Sequence, residues 1–407
     1  MNPPPSLHER SWSLRFVSVE AASGVVLLAA AALALAWANS PWGASYEAFW
    51  GLRLELGLGR VLAAQDLRFW VNEGLMTIFF LVVGFEIRRE IAEGALSDVR
   101  VATLPIIAAL GGVAVPALLY LLVNHDPVAR RGWAIPTPTD IAFSVGVLSL
   151  LGRVPPALRL LLLSLAIIDD IAAVVVIAVY YSASIAPAGL LMVAAAVLLV
   201  MAMHRLSIEA ALPYLLPGVL AWYGLLWSGL HPALAGVLLG VLTPAGAAAG
   251  RRAAGHAAAS GGVTPLVRIE TRLHPWVAFG IMPLFALANA GVQVGGRDLS
   301  AAAPLAISCG IVAGLVLGKP IGIVLAARAA VAVGLCTLPE GVRWPHIVLM
   351  GCVGGIGFTM AIFIAALAFT DPALLAAAKL AVLIASGLAA TFGFILGRLP
   401  WTVRCQT

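Results

Sequence analysis

The chain has 407 residues, of which 62% are hydrophobic and 11% charged, with a net charge of +5 and a mean hydropathy of +1.02. Because a soluble domain carries roughly a quarter charged residues, this composition excludes a soluble protein and predicts an all-α polytopic membrane protein. The four cysteines have no recognisable spacing, so we expect no disulfide and no cysteine metal site. We also expect no cofactor.

Apolar runs long enough to cross about 30 Å of hydrocarbon follow one another along nearly the whole chain. Charges, prolines and polar turns divide them into about twelve predicted transmembrane helices within one integral-membrane domain, 1–407. The predicted spans are 17–38, 70–88, 102–124, 133–151, 157–182, 187–203, 210–228, 231–247, 275–293, 304–328, 345–369 and 373–397.

Arginines are distributed unevenly between the two sets of connecting segments, with sixteen on one set and six on the other. Because basic residues are retained on the cytoplasmic side, both termini are predicted to be cytoplasmic, with 1–14 as a tail. The positive net charge therefore reflects topology and contact with membrane lipid, and it does not indicate a nucleic-acid partner.

Two of the predicted connecting segments are long. Segment 40–69 is periplasmic, and its sequence LRLELGLGRV predicts a short β-hairpin. Segment 248–273 is a cytoplasmic loop rich in Ala and Gly.

The fourth span contains GWAIPTPTDIAFSVG, in which Pro136 and Pro138 precede Thr139 and Asp140. Prolines so spaced break a helix, and broken backbone at membrane depth is tolerated where it lines a cavity or packs on protein. A carboxylate there can neutralise a positive helix end or bind a cation. The simpler alternative is a proline kink with a capping aspartate.

The fifth span contains two adjacent aspartates, Asp169 and Asp170, in LAIIDDIAAV. Placing a charged carboxylate at mid-membrane costs roughly 3 kcal/mol of insertion free energy. A pair of aspartates there therefore indicates chemistry that needs charge or protons inside the membrane. Neighbours on a helix diverge by about 100°, so one carboxylate can face a cavity while the other meets a partner helix. The alternative is that both only hold helices together.

The second half of the chain offers a matching pattern. Lys319, in VAGLVLGKPIGIVL, is a natural partner for the carboxylates, although it can also serve only to balance charge. The next span is interrupted by Gly354, Gly355 and Gly357. Broken helices in both halves, in spans 4 and 11, predict a transporter with inverted repeats formed by spans 3–5 and 10–12.

These segments resemble one known family. FLVVGFEIRREI, GWAIPTPTDIAFSVGVLSLLG, LAIIDDIAAV, SGLHPALAGVLLG, HPWVAF, MPLFALANAGV, LGKPIGI, LPEG and GGIGFTMAIFIAALAF together are similar to the NhaA-type sodium/proton antiporters of bacterial inner membranes, in order and over nearly the whole chain. The resemblance implies two broken helices that cross, electrogenic and pH-regulated exchange of Na⁺ or Li⁺ for H⁺, and a homodimer contact through the 40–69 hairpin.

The resemblance also implies roles for individual residues. Asp170 is the main sodium ligand, Asp169 shares in sodium binding and proton exchange, and Lys319 pairs with Asp169. Asp140 and Thr139 lie where the broken helices cross, with Asp140 at their positive ends and Lys319 at their negative ends.

A cytoplasmic pH-sensing cluster is implied for Glu86, Arg89, Glu90, His231 and Glu270. The alternative for His231 is an interfacial polar residue at a helix start. The chain departs from the family pattern at Val267, where a lysine is usual, and at Pro138, where a small residue is usual.

Competition between Na⁺ and protons for the same carboxylates is the expected mechanism, because sodium prefers oxygen ligands and burial favours the protonated carboxyl. Enzymatic alternatives lack their motifs: there is no Gly-x-Gly-Asp of an intramembrane protease and no Asp-rich diphosphate motif. The remaining rival is a sodium-coupled organic-anion symporter of similar fold, which would show an anion site at a half-helix N-terminus.

Overall fold

The structure is a computed structural model, and the residues it describes are 7–58, 61–92, 94–151, 154–182, 186–206, 208, 212–243, 265–293, 295 and 301–399. Residues 1–6 of the predicted tail, most of the predicted 248–273 loop, and the side chain of Val267 lie outside this description.

The described chain is predominantly helical. Its α-helices, of which α3 and α13 include a π-helical turn, are α1 (Leu7–Ala38), α2 (Gly43–Trp50), α3 (Leu67–Ala92), α4 (Val99–Val123), α5 (Pro127–Arg130), α6 (Ile141–Leu150), α7 (Pro156–Tyr180), α8 (Pro187–Arg205), α9 (Leu215–Ser228), α10 (Leu234–Leu242), α11 (Pro265–Trp276), α12 (Met282–Asn289), α13 (Ala302–Ala332), α14 (Trp344–Gly354), α15 (Phe358–Ala368) and α16 (Pro372–Gly397). Helix α1 thus begins inside the predicted tail, and α11 begins inside the predicted 248–273 loop.

Among the described residues, six helices are long and apolar enough to cross a membrane, or up to eight when each bent pair counts as one span. The protein is therefore a multi-pass membrane protein. Of the other predicted spans, 133–151 and 345–369 are interrupted where Pro and Gly break the helix, and 210–228 and 231–247 contain the shorter helices α9 and α10.

Two strands lie between α2 and α3. Strand β1 (Arg53–Leu58) pairs antiparallel with β2 (Val61–Asp66), with Arg53 opposite Asp66 and Leu58 opposite Val61. Asp66 then caps α3, because its side chain accepts a hydrogen bond from Phe69 N.

The chain, predicted as one domain, divides into two compact units that are each discontinuous in sequence. One comprises Met1–Gly43, Val99–Ala173 and Asn289–Thr407, and the other comprises Ala44–Asp98 and Val174–Ala288. The first unit contains α4 to α6, most of α7, and α13 to α16. It therefore holds both predicted triplets, each consisting of a long helix, an interrupted helix and a long helix.

Helices α4 and α13 of the first unit pack closely through glycine. A Cβ on Gly322 would come within 2.7 Å of the Gly111 carbonyl carbon and 3.0 Å of Val115 Cβ. Small residues allow such an approach between membrane helices, where packing contacts drive association. This packing fixes the helix that carries Lys319.

We expect Gly322→Ala to lower the stability of the detergent-solubilised protein by about 1–3 kcal/mol, because the added methyl group would overpack the α4–α13 contact. Gly387→Ala is the control, since nothing lies within 4 Å of its Cβ position in helix α16. The control should be neutral or slightly stabilising. Equal thermal unfolding midpoints for the two variants would contradict this account of the packing.

Candidate ion-exchange site

The first interruption lies where the two prolines predict it. A 3₁₀ turn, Arg131–Ala134, ends before Pro136, and helix α6 does not begin until Ile141. Prolines at 136 and 138 cannot donate backbone hydrogen bonds, so 135–140 runs as irregular buried backbone. Asp140 is the N-cap of α6, and its Oδ1 accepts a hydrogen bond from Phe143 N at 3.0 Å.

The second interruption separates α14, which ends at Gly354, from α15, which begins at Phe358. The two helices are bent by 46°. Glycine is required at position 355 because a Cβ there would collide with the carbonyl oxygen of Leu315. That carbonyl belongs to a π-helical turn, Gly314–Gly318, which directly precedes Lys319. Such turns inside α-helices are frequent at functional sites.

The two interruptions contact each other directly. The backbone N–H of Asp140 donates to the carbonyl of Ile356 at 2.7 Å. The hydroxyl oxygen of Thr139 lies 2.8 Å from the carbonyl oxygen of Gly354, the last residue of α14. Backbone groups freed by each break are thus satisfied by the other chain segment, as buried polar groups require.

Asp140 joins the N-terminal ends of both half-helices. In addition to capping α6, its Oδ2 accepts hydrogen bonds from Thr359 N at 3.1 Å and from Thr359 Oγ1 at 2.5 Å, in the first turn of α15. Two positive helix ends therefore meet one carboxylate, which is the electrostatic arrangement that stabilises both. Sequence reasoning missed Thr359, whose only signal was a hydroxyl directly after the glycine-rich break.

Thr139, Asp169 and Lys319 form a buried polar cluster. Lys319 Nζ makes an ion pair with Asp169 Oδ2 and donates to Thr139 Oγ1 at 2.9 Å. Thr139 Oγ1 also lies 2.7 Å from Asp169 Oδ2. Because the hydroxyl has a single hydrogen, it can donate to Asp169 or to Gly354, but not to both at once. The cluster links the charge on α7 to the broken backbone of α14.

Both aspartates of α7 are almost fully buried, with exposed fractions of 1% for Asp169 and 2% for Asp170. Asp169 Oδ1 accepts no hydrogen bond from the described residues. A buried carboxylate oxygen without a donor is a position suited to a cation. Thr139, Asp169 and Lys319 thus contact one another, Asp140 directly follows Thr139, and Asp170 is the next residue along the same helix as Asp169.

Part of the predicted pH-sensing cluster is assembled in the second unit. Arg89 at the end of α3 pairs with Glu270 on α11 at 2.5 Å, and Glu86 and Glu90 lie half-buried within one turn of Arg89. Burial raises the pKa of Glu270 above its ordinary value, while Arg89 and then His274 oppose part of the rise. Glu270 is 4% exposed and lies outside the candidate membrane spans.

His231 does not belong to this cluster, contrary to the prediction. Its Nδ1 lies 3.3 Å from Oε1 of Glu73, near the start of α3, and Nε2 lies 3.3 Å from the Tyr181 carbonyl. Glu73 Oε2 also accepts from Ala233 N. The physical reason is that α3 and α10 pack in parallel, so the start of α10 meets the start of α3 and not the end that carries Arg89.

Comparison with known proteins identifies the chain's relatives. A family model described as Na⁺/H⁺ antiporter 1 matches residues 14–396. The chain is 50% identical to Na(+)/H(+) antiporter NhaA 2 of Pseudomonas putida, over 96% of this chain and 93% of that protein. It is 51% identical to Na(+)/H(+) antiporter NhaA 2 of Sorangium cellulosum, over 95% of this chain and 89% of that protein.

Among solved structures, the chain is similar to the sodium proton antiporter MjNhaP1 from Methanocaldococcus jannaschii. The TM-score is 0.52 at 13% sequence identity, covering 96% of this chain and 98% of the other. At this identity the likeness concerns the fold alone.

We expect Lys319→Met to destabilise the protein by about 3–5 kcal/mol, because it would leave Asp169 as an uncompensated buried charge. Adding Asp169→Asn should restore most of this loss, since both members of the pair are then neutral. Thermal unfolding of the two single variants and the double variant in detergent, without sodium, measures the coupling. Additive losses in the double variant would show that the two groups do not interact.

Proposed function

The chain belongs to the Na⁺/H⁺ antiporter 1 family, and on this premise we propose that it exchanges cytoplasmic Na⁺, or Li⁺, for external protons at Asp169 and Asp170. Sodium and protons compete for these two carboxylates. Thr139 contributes a hydroxyl oxygen, and Asp140 supports the site from the crossing of the broken helices. Sodium and protons are the substrates, and the mechanism needs no cofactor.

The observation that carries this proposal is the Asp169–Lys319–Thr139 cluster beside two helix breaks. Sodium is a hard cation that prefers oxygen ligands, and this region offers Asp169 Oδ1, Thr139 Oγ1 and the Gly354 carbonyl. The Lys319 ammonium already occupies one cation position against Asp169. We infer that an arriving sodium ion competes with this ammonium for the carboxylate.

Sodium binding is coupled to proton release by the free-energy cost of adding net charge to a buried site. A net charge added to a water-poor site is expensive, so sodium can bind only as protons leave. Asp170 and the Asp169–Lys319 pair provide more than one site for a proton. Loss of two protons for each sodium bound would move net charge across the membrane, which supports electrogenic exchange driven by the inward proton gradient.

We propose about twelve spans with both termini in the cytoplasm of a bacterium, on the strength of the arginine bias. The two helix triplets of the first unit support an inverted repeat of spans 3–5 and 10–12, with spans 4 and 11 as the crossing broken helices. The β1–β2 hairpin is a two-stranded sheet, and we propose that an outer edge of it pairs with a second protomer to form a homodimer.

The described structure does not favour the rival function, a sodium-coupled organic-anion symporter. An anion would be expected at the N-terminus of a broken helix. At the crossing, the N-terminal ends of α6 and α15 are instead both bound by the Asp140 carboxylate. That negative charge repels a second anion.

Regulation by pH is proposed for the Arg89–Glu270 pair together with Glu86 and Glu90. Because its pKa is raised, Glu270 keeps its proton at pH values where an exposed glutamate has lost it. Ionisation of Glu270 as the pH rises would complete the pair with Arg89 and strengthen the contact between α3 and α11.

We expect Asp170→Asn to abolish sodium-dependent proton movement, because an amide can neither exchange a proton nor supply full charge to sodium. The assay is dye-reported ΔpH in everted membrane vesicles. Asp371→Asn is the matched control, since Asp371 is an exposed N-cap of α16 and Asn caps equally well. Wild-type flux in Asp170→Asn at equal protein level would refute the proposed role.

We expect Glu270→Gln to move the rising limb of the pH–activity profile by about half a pH unit or more toward alkaline pH, because glutamine cannot ionise to pair with Arg89. Initial rates across a pH series in the same vesicles provide the measurement. Glu340→Gln, at an exposed glutamate, is the control. Superimposable profiles for both variants and wild type would remove Glu270 from regulation.

A further inference from the structure

We propose that Ser144 and Ser386 are positioning residues for ion exchange, which hold the two ends of the α14–α15 interruption and thereby place the Gly354 carbonyl beside Thr139 and Asp169. This inference rests on the function proposed above and adds two residues to it. Neither serine stood out in the sequence.

Ser144 holds the end of α14. It lies on α6, one turn after Asp140, and is completely buried. Its Oγ donates to the carbonyl oxygen of Val353 at 3.0 Å. The Val353 carbonyl also accepts from Ile356 N at 3.1 Å, so Ser144 adds a second hydrogen bond, from a neighbouring helix, at the point where α14 stops.

Ser386 holds the start of α15. This helix has glycine at its N-cap, Gly357, which has no side chain to cap the first N–H groups. The buried Ser386 of α16 accepts a hydrogen bond from Phe358 N at 3.1 Å, while Asp140 of α6 accepts from Thr359 N. The cap of α15 is therefore assembled from two other helices.

Helix α16, which carries Ser386, also contacts α14 directly. A Cβ on Gly393 would lie 2.7 Å from Val353 Cγ2, so α16 packs closely against the end of α14 as well. Ser144 and Ser386 thus hold residues on either side of the three-residue break, 355–357. Between them lies Gly354, whose carbonyl oxygen is 2.8 Å from Thr139 Oγ1.

Sodium binding requires the Gly354 carbonyl to be held in a precise position. Binding groups need to be held within about half an ångström of the productive geometry by supporting hydrogen bonds. Both serines bond to backbone, so their effect on the ion passes through the position of the broken helix. Removing either hydroxyl should weaken sodium binding more than it slows the maximal rate.

The test compares Ser144→Ala and Ser386→Ala with wild type in everted vesicles. We expect the KM for Na⁺ to rise about three- to ten-fold, as for loss of one buried hydrogen bond, with the maximal rate per folded protein within about two-fold. Ser149→Ala is the matched control, because Ser149 on α6 donates to Val145 four residues back in its own helix. It should keep the wild-type KM.

Cysteine variants test whether the two serines contribute only to folding and not to sodium binding. Ser144→Cys and Ser386→Cys keep the unbranched shape of the side chain, with a slightly larger atom that forms a weaker hydrogen bond, so both variants should fold and give an intermediate KM. Fluorescence-detected size-exclusion chromatography reports the amount of folded protein for every variant. Wild-type KM values in the cysteine and alanine variants, with only protein yield reduced, would overturn the inference.

Failure of this inference can be distinguished from failure of the proposed function. If Asp170→Asn retains transport, the proposed ion site is wrong. If Asp170→Asn abolishes transport while the serine variants keep the wild-type KM, only the positioning role is wrong.

Discussion

The structure depends on one constraint, which is that every charge buried in a membrane must be neutralised where it lies. Lys319 and Asp169 neutralise each other, and the Asp140 carboxylate is held by the positive ends of α6 and α15. A buried pair of this kind is costly to form and more costly to break, so it is weak evidence for stability alone. Its placement beside two helix breaks indicates a function that uses the charge.

The broken helices follow from the same constraint. A continuous helix would satisfy its own backbone groups and leave no carbonyl for a cation and no N–H for Asp140. The interruptions at 135–140 and 355–357 supply both, and they contact each other through Thr139, Asp140 and Ile356. The position of any one group therefore depends on the others, and Thr139 Oγ1 contacts both Asp169 and the carbonyl of Gly354 at the end of α14.

Much of this site could be predicted from the sequence, because its main residues are unfavourable in a membrane helix whatever surrounds them. Pro136 and Pro138 must break a helix, and Asp169, Asp170 and Lys319 are expensive at membrane depth wherever they point. Thr359, Ser144 and Ser386 could not be found in this way, since their hydroxyls matter only through the backbone groups they meet on other helices. The position of His231 beside Glu73 could not be found either, since the sequence does not reveal that α3 and α10 run parallel. The division into two units was also beyond the sequence, since both units are built from separated segments.

The central claim is that sodium and protons compete for the same buried carboxylates. Calorimetric titration of the purified protein with Na⁺, in buffers of different ionisation enthalpy at a fixed pH, counts the protons released on binding. The account predicts that protons leave as sodium binds and that Asp170→Asn releases fewer or none. Sodium binding with no proton release by the wild-type protein would contradict it.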